Sequence, residues 1–314
     1  MSESTVWNVP EPLSEHDVQV DEETVVRVRR HGNPDGLRLV LSHGNGLAID
    51  LYYPFWSLLA GEFDLMVYDL RNHGWNRVGN RKSHNLPTLA NDHEVVLESI
   101  DRRFGTKPTV GVFHSLAALV ALISSSPRYA ALVLFDPPIC RPPLDEEEFD
   151  AAAERLAATT RRRGWRFESE AAYEELLHYS PSYLRVLPGV HALVAKTTLR
   201  KSPERQDYEL RCPREYEAQI SEYVRSVAPL VDLDDLSCPT KVIGADPTLP
   251  YSYLPTMDLT SLMAVDYDFV PESTHYLQLE QPEECAAILR DFLGETGLLR
   301  HGARGIEPEG AGPS

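Results

Sequence analysis

Three short apolar runs come early in the chain: TVVRVRR (24–30), LRLVLS (37–42) and FDLMVYDL (63–70). The first alternates apolar and polar positions, as a strand with one solvated face does. The turn signal HGNPDG follows it, so the first two runs are predicted as neighbouring antiparallel strands. The other two are more continuously apolar, the pattern of strands buried on both faces. Between them DLYYPFWSLLAGE (50–62) predicts a helix despite Pro54, because Phe55, Leu58 and Leu59 recur at helical spacing. After DLRNHG comes a loop rich in Asn, Arg and Pro, then a predicted helix, TLANDHEVVLESIDRRFG (88–105). The strand TVGVF (109–113), the helix SLAALVALISSS (115–126) and the strand AALVLFDPP (130–138) complete the first half. That helix is apolar nearly all round, which marks it as buried. The alternation predicts an α/β protein with a mostly parallel twisted sheet and helices on both faces.

From about residue 140 the pattern changes. LDEEEFDAAAERLAATTRRRGW, SEAAYEELLHY, GVHALVAKTTL and PREYEAQISEYVRSVA predict successive amphipathic helices, with no comparable strand signal. The α/β rhythm returns in CPTKVIGAD (238–246), MAVDYDFVP (263–271) and the helix PEECAAILRDFLGE (282–295). The expected organisation is an N-terminal tail (1–20), an α/β core (21–139 and 236–298), an inserted helical lid (140–235) and a tail (299–314). The last is rich in Gly and Pro without apolar periodicity and is expected to be disordered. The run Arg161, Arg162, Arg163 is expected to be solvated surface.

With 314 residues, 42% hydrophobic and 25% charged, the chain is globular in makeup and long enough for a large core with an insertion. A net charge of −18 opposes nucleic acid and anionic lipid as partners. Cys140, Cys212, Cys238 and Cys285 are far apart with no CxxC pair, which suggests reduced thiols rather than zinc or disulfides. The acidic start lacks a signal peptide's basic end and apolar core, and no apolar run approaches a membrane span, so a cytoplasmic location is expected. No glycine-rich nucleotide fingerprint, HExxH or calcium loop occurs, so no cofactor and no metal is implied. The pattern leaves the oligomeric state open.

The candidate chemistry centres on GVFHSLAAL (111–119), where Ser115 stands between a strand and a buried helix. A nucleophile elbow is normally GxSxG, and Phe113 and Ala117 occupy the two glycine positions. Ser115 on a tight turn at a helix N-terminus suits a nucleophile, because the helix N–H groups favour a developing oxyanion; as a bare pattern it equally suits a helix cap. Three further segments, LVLSHGNGL, VYDLRNHGWN and THYLQLEQPEECAAILRDFL, together with this one resemble the α/β-hydrolase fold superfamily. They look like its third strand with an HG-type oxyanion loop, its DxRxxG turn, and its histidine loop with closing helix. The resemblance covers about 21–139 and 236–297.

The resemblance implies a serine hydrolase with a helical lid. Ser115 is its nucleophile, His275 its general base, and Asn45 and Leu116 its backbone oxyanion donors. For the acid it leaves two residues open. Asp246 lies after TKVIGAD, where most of the family keeps it, although Gly244, Asp246 and Pro250 fit only with one residue deleted. Asp136 ends the preceding strand, from which some members take the acid. His43, His73 and His114 are assigned structural roles. The implied activity is cofactor-independent cleavage of an ester, thioester or related activated acyl bond in a small, largely apolar molecule through an acyl-enzyme. Carbon–carbon bond hydrolysis and acyl transfer use the same residues. A non-catalytic small-ligand-binding protein on this fold is the alternative that Phe113 motivates, by crowding the elbow.

Overall fold

A computed structural model describes residues 5–124, 128–139, 146–249 and 265–299. In chain order the first half comprises strands β1 (Ser14–Gln19), β2 (Val25–Gly32) and β3 (Arg38–Ser42), helix α1 (Tyr53–Trp56), strand β4 (Asp64–Tyr68), helix α2 (Leu86–Phe104), strand β5 (Thr109–His114), helix α3 (Leu116–Ile123) and strand β6 (Ala131–Phe135). An insert follows with α4 (Glu146–Arg162), β7 (Arg166–Phe167), α5 (Glu170–Leu177), α6 (Val190–Thr198), β8 (Leu199–Lys201), β9 (Tyr208–Leu210) and α7 (Arg214–Val227). The chain returns to the core with β10 (Thr240–Gly244), β11 (Asp266–Phe269), α8 (Leu277–Glu280) and α9 (Pro282–Glu295).

Eight strands form one sheet in the order β1-β2-β4-β3-β5-β6-β10-β11. β2 runs antiparallel to β1 and β4, and every other pairing is parallel. Central strands such as β3, β4, β5 and β6 are buried at every position. Their alternate residues feed two apolar layers. Leu39, Leu41, Val110, Val112 and Val133 pack on one face with α1, α8 and α9. Val40, Met66, Phe113, Leu132 and Leu134 pack on the other with α2 and α3. α2 starts where the Asn85 side chain accepts from Thr88 N, with Pro87 in its first turn, and stops at Gly105, whose φ is 81°. The central parallel strands end together on one edge, the place where this class of sheet puts its ligand.

Several expectations change. The N-terminal tail of residues 1–20 contains β1, an edge strand whose only apolar side chain within the strand is the buried Val18; its charged neighbours face solvent, so hydrophobic patterning misses it. Asp17 there pairs with Arg27 at 2.8 Å. Trp7 also leaves the tail, donating from Nε1 to Pro188 O at 3.0 Å just before α6. β2 and β3 do not form the expected hairpin: β4 lies between them and pairs antiparallel with β2. The 50–62 helix is broken into a 3₁₀ turn (Ile49–Tyr52), α1 and a second 3₁₀ turn (Ser57–Leu59), with Pro54 in the first turn of α1.

The insert is not purely helical either. β7, β9 and β8 make a small antiparallel sheet of two- and three-residue strands. Charge rather than apolar alternation organises it, with Glu209 between Arg166 and Arg200, so it has no hydrophobic signature. Arg163 departs from the solvated role of its run: its guanidinium grips both carboxylate oxygens of Glu217 at 3.1 and 2.5 Å. The 299–314 tail falls outside the described residues apart from Leu299, as does Pro250. Among the described residues no helix is long and apolar enough to cross a membrane.

Candidate active site

Ser115 sits at the end of β5 with φ 51° and ψ −116°, a conformation costly for a side chain other than glycine. Parallel pairing extends past the strand to hold it there: Ser115 N donates to Phe135 O at 2.9 Å. Its side chain makes no capping bond to α3, so the helix-cap alternative does not describe it. Instead Ser115 Oγ lies 3.0 Å from His275 Nε2. On the other side of the ring, His275 Nδ1 lies 2.6 Å from Asp136 Oδ2. A carboxylate only accepts, so Nδ1 carries the proton and Nε2 presents its lone pair to the serine hydroxyl.

Of the two candidate acids the structure brings Asp136 to the imidazole and takes Asp246 elsewhere. Asp136 follows β6 with φ 40°, its backbone N–H donating to Ile243 O at 2.8 Å. Asp246 turns its carboxylate onto Thr248 N and Oγ1, at 2.8 and 2.6 Å, and onto Glu272 N at 2.8 Å. Those hydrogen bonds, the Thr248 hydroxyl foremost, hold its pKa below the ordinary value of 3.8. The physical reason is local: an Asp closing a turn two residues ahead is captured by that turn, and here it also ties down the loop leading to His275. Glu280 secures the same loop from its other end, accepting from Thr274 N at 2.6 Å and Thr274 Oγ1 at 2.5 Å.

Phe113 finds its room two residues upstream. A Cβ added to Gly111 would lie 2.4 Å from Phe113 Cε2, so the ring occupies the space that a side chain at 111 would take. His93 and Tyr129 flank it at centroid distances of 5.2 and 5.9 Å. The glycine absent from the elbow is thus present on the same face of β5, displaced by one strand repeat.

The HGNG loop passes close beside the elbow: a Cβ on Gly44 would lie 3.2 Å from Ser115 Cβ. Its backbone donors are distinct in use. Gly44 N donates to Tyr52 Oη at 3.1 Å and Gly46 N to His73 Nε2 at 3.0 Å. Asn45 N and Leu116 N make no backbone hydrogen bond among the described residues. These are the two expected oxyanion donors.

His114, next to the serine, has a specific task. Tyr52 Oη accepts from Gly44 and lies 2.6 Å from His114 Nδ1, while His114 Nε2 lies 2.8 Å from His275 O. A carbonyl only accepts, so His114 is protonated at Nε2 and receives the tyrosine proton at Nδ1. The chain of bonds links the HGNG loop to the backbone of the histidine loop. Burial, reinforced by the neighbouring His275, pushes His114 well below its ordinary pKa and keeps it neutral. His43 and His73 are likewise neutral and structural, lowered chiefly by burial. His43 receives Leu70 N at 3.1 Å and lies 2.7 Å from Gly44 O. In the DLRNHG turn, Asp69 accepts from Ile49 N and Trp75 N at 2.7 and 3.1 Å.

His73, His84 and Cys212 bring potential metal-ligating atoms within 4.8 Å of one another. Their donors are committed otherwise. His73 Nε2 receives Gly46 N, and His84 Nδ1 receives the Asn72 amide, whose oxygen accepts from Gly79 N at 2.6 Å. His84 therefore carries its proton on Nε2, and the three groups do not present three lone pairs to an ion.

A small cavity of about 40 Å³ adjoins Ser115 and His275. Leu47, Leu116, Pro138, Ile220, Val224 and Tyr276 give it apolar walls, and Asn45, Glu217 and Ser221 polar ones. The wall residues from α4 and α7 were not assignable from sequence, because helical patterning reports which face is apolar and not what it covers. Glu217, buried within α7, is the clearest omission.

Structural neighbours share this architecture at low identity. E-2-(acetamidomethylene)succinate hydrolase superposes with a TM-score of 0.71 at 17% identity, covering 90% of this chain and 99% of its own. An esterase from Thermogutta terrifontis gives 0.64 at 21%, covering 90% and 99%. The enol-lactonase from Burkholderia xenovorans LB400 gives 0.65 at 16%, covering 89% and 100%. A search of curated protein sequences finds no match. The sequence profile of the alpha/beta hydrolase family matches residues 39–288, and the chain belongs to that family.

Proposed function

We propose that the protein is a cofactor-independent serine hydrolase that cleaves an ester, thioester or related acyl bond of a small, largely apolar substrate. The observation that carries this reading is the Ser115–His275–Asp136 chain of contacts at 3.0 and 2.6 Å, set on a strained elbow. His275 Nε2 takes the proton as Ser115 Oγ attacks the acyl carbon, then returns it to the leaving group. Asp136 holds the tautomer and stabilises the imidazolium. Asn45 N and Leu116 N receive the oxyanion, and water activated by His275 releases the acyl group.

The apolar walls support an apolar acyl or leaving group. The neighbouring esterase and enol-lactonase act, by their names, on acyl–oxygen bonds, which agrees with this reaction class. The crowding argument for a binding-only protein falls away once Gly111 accommodates Phe113. Ligand pockets usually enclose about 300–1,000 Å³, far more than the cavity beside Ser115. We therefore assign the insert as a lid over the core of residues 21–139 and 236–298, with α4 and α7 moving apart to admit substrate. Hydrolysis of p-nitrophenyl esters by wild type and Ser115→Ala tests the reading. A loss of about 10⁴-fold or more supports it, and a variant within about tenfold of wild type removes Ser115 from the mechanism.

A further inference from the structure

Asn45 contributes more than its backbone to the cavity. Its side-chain Nδ2 donates to Glu217 O on α7 at 2.8 Å, and because a carbonyl only accepts, this bond fixes which way round the amide stands. Its Oδ1 is then left as an acceptor, and it is buried with no hydrogen-bond partner among the described residues. A buried polar atom left unpaired costs stability, and such an atom on a residue that lines the cavity next to Ser115 is a place where a ligand can restore the bond. The second polar wall is also an acceptor: the Glu217 carboxylate, turned toward Gly46, where an added Cβ would lie 2.5 Å from it, and held by Arg163 from the insert.

We propose that Asn45 Oδ1, with the Glu217 carboxylate nearby, selects acyl substrates that carry a hydrogen-bond donor close to the scissile carbonyl. A hydroxyl or an amide N–H on the α or β carbon fits the chemistry. The proposal rests on the serine-hydrolase reading above. Oδ1 belongs to the same residue as the proposed oxyanion donor Asn45 N, so a donor on the α or β carbon is the one proposed to meet it. An acyl chain ending in a carboxylate that reaches Asn45 Oδ1 and the Glu217 carboxylate meets two acceptors and is disfavoured there.

The test compares p-nitrophenyl 3-hydroxybutanoate with its methyl counterpart, p-nitrophenyl 3-methylbutanoate, and with mono-p-nitrophenyl succinate. Each kcat/KM is divided by that ester's hydroxide-catalysed rate, and Ser115→Ala is the control. The inference predicts a preference for the hydroxy ester of about tenfold or more over the methyl ester, with the succinate slowest. It further predicts that Asn45→Ala brings the hydroxy-to-methyl ratio near one. The ratio is read rather than the absolute rate, since Asn45 also supplies an oxyanion donor. Hydrolysis that depends on Ser115 but shows no preference in wild type overturns the inference and leaves the hydrolase reading standing. A preference that survives Asn45→Ala overturns the assignment to Oδ1. Absence of any Ser115-dependent hydrolysis removes the hydrolase reading and this inference with it.

Discussion

Gly111→Ala probes the accommodation of Phe113 at the elbow. The new methyl group would meet Phe113 Cε2 at 2.4 Å, Leu132 Cδ2 at 2.7 Å and Tyr129 Cε1 at 2.9 Å, all closer than real side chains approach. Phe113 and Tyr129 cannot retreat easily. Phe113 is fully buried between His93 and Tyr129, and Tyr129 Oη is bonded to His93 Nε2 at 2.5 Å. Overpacking a tight core costs about 1–3 kcal/mol, and the rigidity here places Gly111→Ala at about 3. Phe113→Ala alone costs about 3–5 kcal/mol through the cavity it leaves. In the double variant the methyl enters that cavity, so its cost falls short of the sum by at least about 1.5 kcal/mol. Urea unfolding of the four proteins measures the coupling. Additivity within about 0.5 kcal/mol refutes the claim that residue 111 makes the room for residue 113.

Asp136→Asn should lower kcat by about 10⁴-fold while Asp246→Asn stays within about tenfold of wild type, measured on one activated ester; the reverse order contradicts the assignment of the acid. Asp246→Asn should instead weaken stability in a pH-dependent way. Its carboxyl pKa is lowered on folding, so its contribution is complete above 3.8 and is lost as pH falls through the lower folded value. Urea midpoints at pH 7 and pH 3 check this, and an equal deficit at both speaks against it. Tyr52→Phe leaves Gly44 N and His114 Nδ1 without their shared partner, and should cost about 1–3 kcal/mol of stability and lower kcat more than it raises KM. Burial lowers the pKa of both His84 and His93 to about 3, so the unfolded chain takes up protons from about pH 6.5 downward before the folded one does. Stability should therefore fall below pH 6.5 by about 1.4 kcal/mol per pH unit for each such histidine. A denaturation midpoint that holds steady from pH 7.5 to 5 contradicts their neutrality.

The elements with strong apolar patterns were legible in the sequence. α9 spans residues 282–295 as predicted, and α2 and β5 differ from the predicted ranges by one or two residues. β1 and the strands of the insert were not, because their register is set by backbone pairing and charge rather than by apolar alternation. Ser115, His275, Asn45 and Leu116 could be named from motif order, but the choice between Asp136 and Asp246 depends on where two loop carboxylates turn after parallel strands. The Gly111–Phe113 relation was visible in principle, since residues two apart share a strand face, although the elbow pattern draws attention to position 113 alone. Glu217 and Tyr52 act across the fold, where only tertiary structure brings them to the HGNG loop.

The proposed reaction depends on Ser115 as a nucleophile activated by His275. Treating the protein with a fluorophosphonate and mapping the product by peptide mass spectrometry tests this directly. A single stoichiometric adduct on Ser115, slowed by orders of magnitude in His275→Ala and absent in Ser115→Ala, is the predicted result. An unlabelled Ser115 in a folded protein, or an adduct that forms as fast without His275, contradicts it.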